Sequence, residues 1–167
     1  MNAKSETDTY VYVAGASAEI ERAERMIAIV RSFAKIAYDW TAAMRRHGPD
    51  WALPIDVLRG ELQRNLDAVD SCEALLVLVP AQPIQTHGAW WECSRAKAWN
   101  DLIAGPSTAH GPGDPGQPRK FILVSLPNDK TPCPVWLQCF ADHVEVSDEL
   151  AAAYLRGVVE QRRAIAR

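Results

Sequence analysis

No stretch of this chain approaches the ~20 consecutive apolar residues that cross a bilayer, so no membrane partner is expected. The opening segment, Met1–Thr9, is polar, lacks the apolar centre of a secretion signal, and is expected to be flexible. Cysteine is scarce: Cys72, Cys93, Cys133 and Cys139 stand apart without CxxC spacing, which leaves no zinc signature. Cys72 and Cys93 lie in apolar or helical surroundings, where buried thiols in a reducing, cytoplasmic compartment are the expectation. No block of Lys or Arg stands out and the net charge is −3, so a nucleic-acid polymer is not an expected partner. The basic residues near the end (Arg156, Arg162, Arg163, Arg167) alternate with Glu160 and read as a solvated face. Neither GxGxxG nor GxxxxGK[ST] occurs, and there is no repeat. No metal or cofactor is expected.

What the chain does have is the balance of a soluble globular protein: 48% apolar and 23% charged over 167 residues, enough for a single domain with a real core. Strand-like and helix-like segments alternate. Tyr10–Ala14 reads as a strand running into Gly15-Ala-Ser17, with Ser17 as helix cap. Ala23, Met26, Ile27, Val30 and Phe33 or Ala34 then recur at helical spacing. A second strand is expected over Lys35–Asp39, then a loop with one helical turn at most from Thr41 to Pro54. Pro54 opens a helix with an apolar stripe of Leu58, Leu62, Leu66 and Val69. Ala74–Val79 is apolar at every position, as a central strand covered on both faces must be. A helix carrying Glu92 follows, then a Gly- and Pro-rich loop over 104–119. Lys120–Ser125 reads as a strand, a turn surrounds Trp136, His143–Val146 is a last strand, and a helix starts at Ser147 or Asp148. The alternation predicts an α/β fold: a flavodoxin-like or Rossmann-like three-layer sandwich on a five-stranded, mainly parallel sheet.

In such sheets ligands bind beyond the carboxyl ends of the strands. Four loops are expected there, carrying Gly15-Ala-Ser17, Asp39-Trp40, the approach to Glu92, and Ser125-Leu-Pro-Asn128. Gly15, Ala16 and Ser17 offer backbone to an anion. Trp40 is either a stacking platform for a planar base or a core tryptophan. Asp39 either reaches a sugar hydroxyl or caps a turn, and capping is the stronger reading. Glu92, preceded by Gly88 and flanked by Trp90 and Trp91, is placed as a carboxylate in a partly dry setting near a helix start. Its structural alternative is a first-turn acid complementing the helix dipole. His87 is either a proton donor or phosphate contact, or an exposed loop histidine.

Taken together, Tyr12-Val-Ala-Gly15, Asp39-Trp40, Asn65-Leu-Asp-Ala-Val69 with Cys72-Glu-Ala-Leu-Leu76, and Gly88-Ala-Trp-Trp-Glu92 with Arg95-Ala96 resemble the nucleoside 2-deoxyribosyltransferase family. That family includes the 2'-deoxynucleoside 5'-monophosphate N-glycosidases. The resemblance implies that Glu92 is the nucleophile attacking the anomeric carbon and that Tyr12 orients it. It implies Gly15–Ser17, Asp39, Trp40, His87 and Gly88 as substrate contacts, and a homo-oligomer, most simply a dimer. Where the family has an aspartate that protonates the departing base, this chain has Asn65, which is no acid; His87 is a candidate substitute. Two other readings remain open: a TIR-like NAD glycohydrolase, of which Trp90-Trp-Glu92 is a loose echo, and a non-catalytic nucleotide-binding protein, favoured by Asn65.

Overall fold

A computed structural model describes residues 9–48, 53–82, 87–104 and 119–165 of the chain. Five strands, β1 (Tyr10–Ala14), β2 (Lys35–Ile36), β3 (Ala74–Leu78), β4 (Phe121–Ser125) and β5 (His143–Glu145), form one sheet in the order β2-β1-β3-β4-β5. Every pairing is parallel. The helices are α1 (Ile20–Arg31), α2 (Trp40–His47), α3 (Ile55–Ser71), α4 (His87–Ala104), α5 (Val135–Phe140) and α6 (Asp148–Ile165). This is the expected flavodoxin-like three-layer fold. Helices α1 and α6 pack on one face of the sheet, and α3 and α4 on the other.

The central strands explain the arrangement. All five residues of β3 are buried, and Leu75, Leu76, Ile122 and Leu123 are closed to water. Each such side chain contributes roughly 1.5–3 kcal/mol of hydrophobic stabilisation. Only a strand covered on both faces can use an unbroken apolar run, which is why β3 lies in the middle. Along β1 the side chains alternate, so Tyr12 and Ala14 face away from Val11 and Val13. Helix α4 approaches the sheet through small residues, Ala89, Cys93 and Ala96. Its far end is tied by Asn100, which exchanges two 2.8 Å hydrogen bonds with the Lys120 backbone.

Several local expectations are corrected. Strand β2 spans Lys35–Ile36 and not Lys35–Asp39, because Asp39 accepts the Ala42 amide at 3.1 Å and starts α2 instead. What reads as a loop from Thr41 is therefore a two-turn helix. Ser17 opens a 3-10 turn (Ser17–Glu19) and makes no side-chain cap; α1 starts only at Ile20. Pro54 is the N-cap of α3, with ψ 144, and not its first helical residue. Leu62 is 52% exposed, so the inward stripe of α3 omits it. The turn around Trp136 is helix α5, and β5 stops at Glu145. Arg162 is not on a solvated face: it donates at 3.0 Å to the backbone oxygens of Glu73 and Arg119. Cys72 and Cys93 are buried, as expected, and all four thiols are free. The loop expected over 104–119 falls almost wholly outside the described residues. Among the described residues no helix is long and apolar enough to cross a membrane.

The carboxyl edge of the sheet is stapled by Arg22 of α1. Its Nε and Nη2 donate to the Asp148 carboxylate at 2.9 and 2.8 Å, and Nη1 donates to Glu19 at 3.1 Å. The same guanidinium reaches the carbonyls of Val79 and Ser125 beyond β3 and β4. The Ser125 hydroxyl donates to Asp148 at 2.7 Å. One side chain thus joins α1, two strand ends and the start of α6. Removing it strands a partly buried carboxylate and two carbonyls. Arg22→Met should therefore lower unfolding stability by about 3 kcal/mol in urea titrations, and a loss below about 1 kcal/mol would show that the staple is dispensable.

Candidate active site

Strand order reverses between β1 and β3, and a cavity of about 290 Å³ opens beyond the carboxyl end of β1. Its walls come from the turn after β1 (Gly15, Ala16, Ser17), from α2 (Trp40, Ala43, Met44, His47), from α3 (Glu61, Asn65) and from the start of α4 (Gly88, Ala89, Glu92), with Leu53 at the side. The turn after β4, with Asn128, contributes no lining residue among those described.

Glu92 is held there by the geometry of α4. It is the sixth residue of that helix, one turn deeper than a dipole-complementing acid would be. It follows Ala89 by three positions and precedes Ala96 by four, so it shares the stripe that faces the sheet. Only 7% of it is exposed. The Tyr12 hydroxyl donates to its Oε1 at 2.7 Å. Among the described residues Tyr12 is its only hydrogen-bond partner. Burial pushes the Glu92 carboxyl up from its usual 4.5 to about 7, and the Tyr12 hydrogen bond opposes that rise. Tyr12, itself closed to water, is pushed well above the usual phenol range by burial and then by the neighbouring carboxylate.

Asn65 completes a short chain. Its side-chain amide oxygen lies 3.1 Å from the Tyr12 hydroxyl. One hydroxyl carries one proton, so Tyr12 cannot donate to both neighbours at once. With Glu92 ionised, Tyr12 donates to the carboxylate and Asn65 serves it best by turning its NH₂ inward. With Glu92 protonated, the acid donates to Tyr12, which then donates to the Asn65 oxygen. The triad accommodates both charge states of Glu92 without moving backbone.

One turn back along α3, a second group lines the same cavity. Glu61 accepts from Tyr38 Oη and, at 2.5 Å, from Arg64 Nη1, and its Oε1 is 3.7 Å from His47 Nε2. Burial alone would raise the Glu61 carboxyl, but the hydrogen bonds from Tyr38 and Arg64 outweigh it and hold the carboxyl below its usual value. Tyr38 is pushed up to about 12 by burial and by that bond. The cavity therefore holds two carboxyls with opposite tendencies, Glu92 toward the neutral form and Glu61 toward the charged one.

The remaining sequence candidates fall as follows. Trp40 both anchors and lines: it is 8% exposed, its Nε1 donates to the Val13 carbonyl at 2.8 Å, and it is among the residues that line the cavity. Asp39 caps α2, bonds Thr41 and Arg31, and does not line the cavity. Gly15 carries no positive φ, and a Cβ there would make ordinary 3.6 Å contacts with Leu78 and Trp40, so it presents bare backbone to the cavity without strain. Ala16, Ser17 and Gly88 line the cavity. The His87 side chain lies outside the described residues. Arg95 makes a two-point ion pair with Asp70, at 2.7 and 2.5 Å, that clamps α4 to α3 and is not among the lining residues. His47 and Glu61 were not foreseen. The signal for Glu61 is its spacing of four from Asn65, which puts both on one face of α3. Among the described residues no cluster of His, Cys, Asp or Glu is arranged to hold a metal ion.

No protein-family model matches this chain, and no curated protein matches it.

The raised Glu92 carboxyl has a thermodynamic consequence. Between the unfolded value of 4.5 and the folded value of about 7, the folded state binds the extra proton, so stability falls as pH rises through that window. Glu92→Gln removes the ionisation and keeps an acceptor for Tyr12. The variant should be more stable than the parent by about 3 kcal/mol at pH 8, with the gain shrinking below about 1 kcal/mol at pH 5. Urea titrations at the two pH values check this, and a gain independent of pH would contradict it.

Proposed function

We propose that this protein cleaves or exchanges the N-glycosidic bond of a (deoxy)nucleoside or nucleoside monophosphate, with Glu92 as nucleophile, in the manner of the nucleoside 2-deoxyribosyltransferases it resembles. The observation that supports this most is the buried Glu92 carboxylate in the wall of a nucleoside-sized cavity, oriented by Tyr12 from the central sheet. Carboxylate oxygen attacks the anomeric carbon while the carbon–nitrogen bond breaks and its electron pair leaves with the base. Water, or the nitrogen of a second base, then displaces Glu92 and takes the sugar. The oxocarbenium-like transition state gains from a carboxylate with little competing water around it. Trp40 offers its ring to the base, and bare backbone at Gly15 and Ala16 lies beside the sugar or its phosphate. A cytoplasmic homodimer belongs to the same reading.

A second reading, nucleotide binding without turnover, draws on Asn65. It is engaged with Tyr12 and brings no acidic proton to a leaving base. Incubation with deoxynucleosides, their monophosphates and NAD, followed by chromatography for free base, separates the readings. The glycosidase reading predicts free base from a deoxynucleoside or its monophosphate, and a loss of at least about 1,000-fold in Glu92→Gln. Free nicotinamide from NAD would favour the TIR-like alternative, and binding with no base released would favour the second reading.

Because Glu92 must be ionised to attack, the rate should show a limb that rises with pH with a midpoint near 7. Tyr12→Phe removes the bond that favours the charged form. Its midpoint should move above that of the parent and its rate at pH 7 should fall about tenfold or more. A midpoint unchanged or lowered in Tyr12→Phe would show that Tyr12 does not tune Glu92.

A further inference from the structure

We propose that His47, which faces Glu61 across the cavity, supplies the proton to the departing base, the task that Asn65 cannot perform. This rests on the glycosidase reading above. Both side chains line the cavity that holds Glu92, and they lie on elements that the nucleophile does not use. Helix α3 sets the spacing. Asn65 stands beside Tyr12 and Glu92, and Glu61 stands one helical turn earlier on the same face, about 5–6 Å away. In the pose we propose, the anomeric carbon meets Glu92 and the base extends along that face of the cavity, toward α2. His47, the last residue of α2, lines the cavity on that side.

Glu61 is the carboxylate that faces His47, from α3 at 3.7 Å, and is itself fixed by Tyr38, from the segment before α2, and by Arg64 of α3. Arg45 and Arg46 are the neighbours of His47 on its own helix, and Arg45 is committed to Glu24 at 2.8 Å. The His47 side chain is 30% exposed, enough to exchange protons with solvent between turnovers.

The steps balance. The His47 imidazolium gives its proton to a nitrogen or oxygen of the base as the carbon–nitrogen electron pair moves onto the base. Glu92 forms the carbon–oxygen bond at the anomeric centre. Neutral base leaves, and neutral His47 remains beside a glycosyl ester. Water then attacks that carbon, His47 takes a proton from it, and the ester's electron pair returns to Glu92. Nucleoside and water have become sugar and base, and both residues are restored.

The test compares leaving groups. Parent, His47→Gln and Glu61→Gln are assayed on a purine 2'-deoxynucleoside and its 5'-monophosphate, and on 4-nitrophenyl 2-deoxyriboside, whose leaving group departs without a proton. His47→Gln should lose about 100-fold or more in kcat on the purine substrates and less than about threefold on the nitrophenyl sugar. Glu61, as a positioning residue, should show the same selectivity with a smaller loss. Equal losses on both kinds of substrate, or none on either, would overturn the role of His47 while leaving Glu92 in place. A parent inert on every substrate would overturn the glycosidase reading, and this proposal with it. Matching thermal midpoints of the three proteins exclude unfolding as the cause.

Discussion

A hydrogen bond of 2.7 Å joins the Tyr12 hydroxyl to Glu92 in a space almost closed to water, and it sets the terms for the cavity around it. Two effects compete there. Taking a carboxylate out of water favours its neutral form, and a single strong donor favours its charged form. Burial wins by a margin that leaves the group near neutrality, where both protonation states are populated at ordinary pH. A carboxylate in that condition is weakly solvated and easily engaged by an electrophile, whereas a surface glutamate is neither. The donor must stay fixed for this to hold. Tyr12 is fixed because it belongs to a central strand paired on both sides, in register with Leu75 of β3.

The rest of the site is an arrangement of opposite environments on one helix. Asn65 neighbours the group pushed toward neutrality, and Glu61, a turn away, is held in its charged form by two donors. When two titratable groups in one cavity are driven apart in this way, division of labour between them is a natural outcome. In the reaction we propose, it takes the form of an attacking carboxylate at one end and a carboxylate facing a histidine at the other. The Arg22 staple supports the same edge of the sheet from the opposite face. It binds the ends of β3 and β4 to α1 and α6, so the rim beside the cavity rests on rigid elements.

Much of the fold was legible because its signals are long. The unbroken apolar run of β3 demands a central, doubly covered strand, and strand–helix alternation then demands parallel pairing. Glu92 is legible as a site candidate for a related reason, since it lies on the helix after that strand, whereas Tyr12 is a candidate only through the family resemblance. What was missed depends on short-range chemistry. Asp39 can end a strand or cap a helix, and the sequence alone does not say that Ala42 will donate to it and convert the following loop to α2. With that helix read as loop, His47 has no face and no partner. Leu62 departs from the stripe because spacing alone does not fix how a helix is turned: Glu61, Asn65, Ala68 and Val69 face inward, and Leu62 lies off that face. Tertiary placement, not propensity, decides such positions.

Covalent capture of the nucleophile bears on the mechanism itself. The protein is incubated with a deoxynucleoside bearing fluorine at the 2-position of its sugar, which slows release from the enzyme, then quenched in acid, digested and examined by mass spectrometry. The account predicts a glycosyl mass on the peptide containing Glu92, together with stoichiometric release of base. Release of base from a protein whose Glu92 peptide stays unmodified, or a sugar found on another residue, would contradict it.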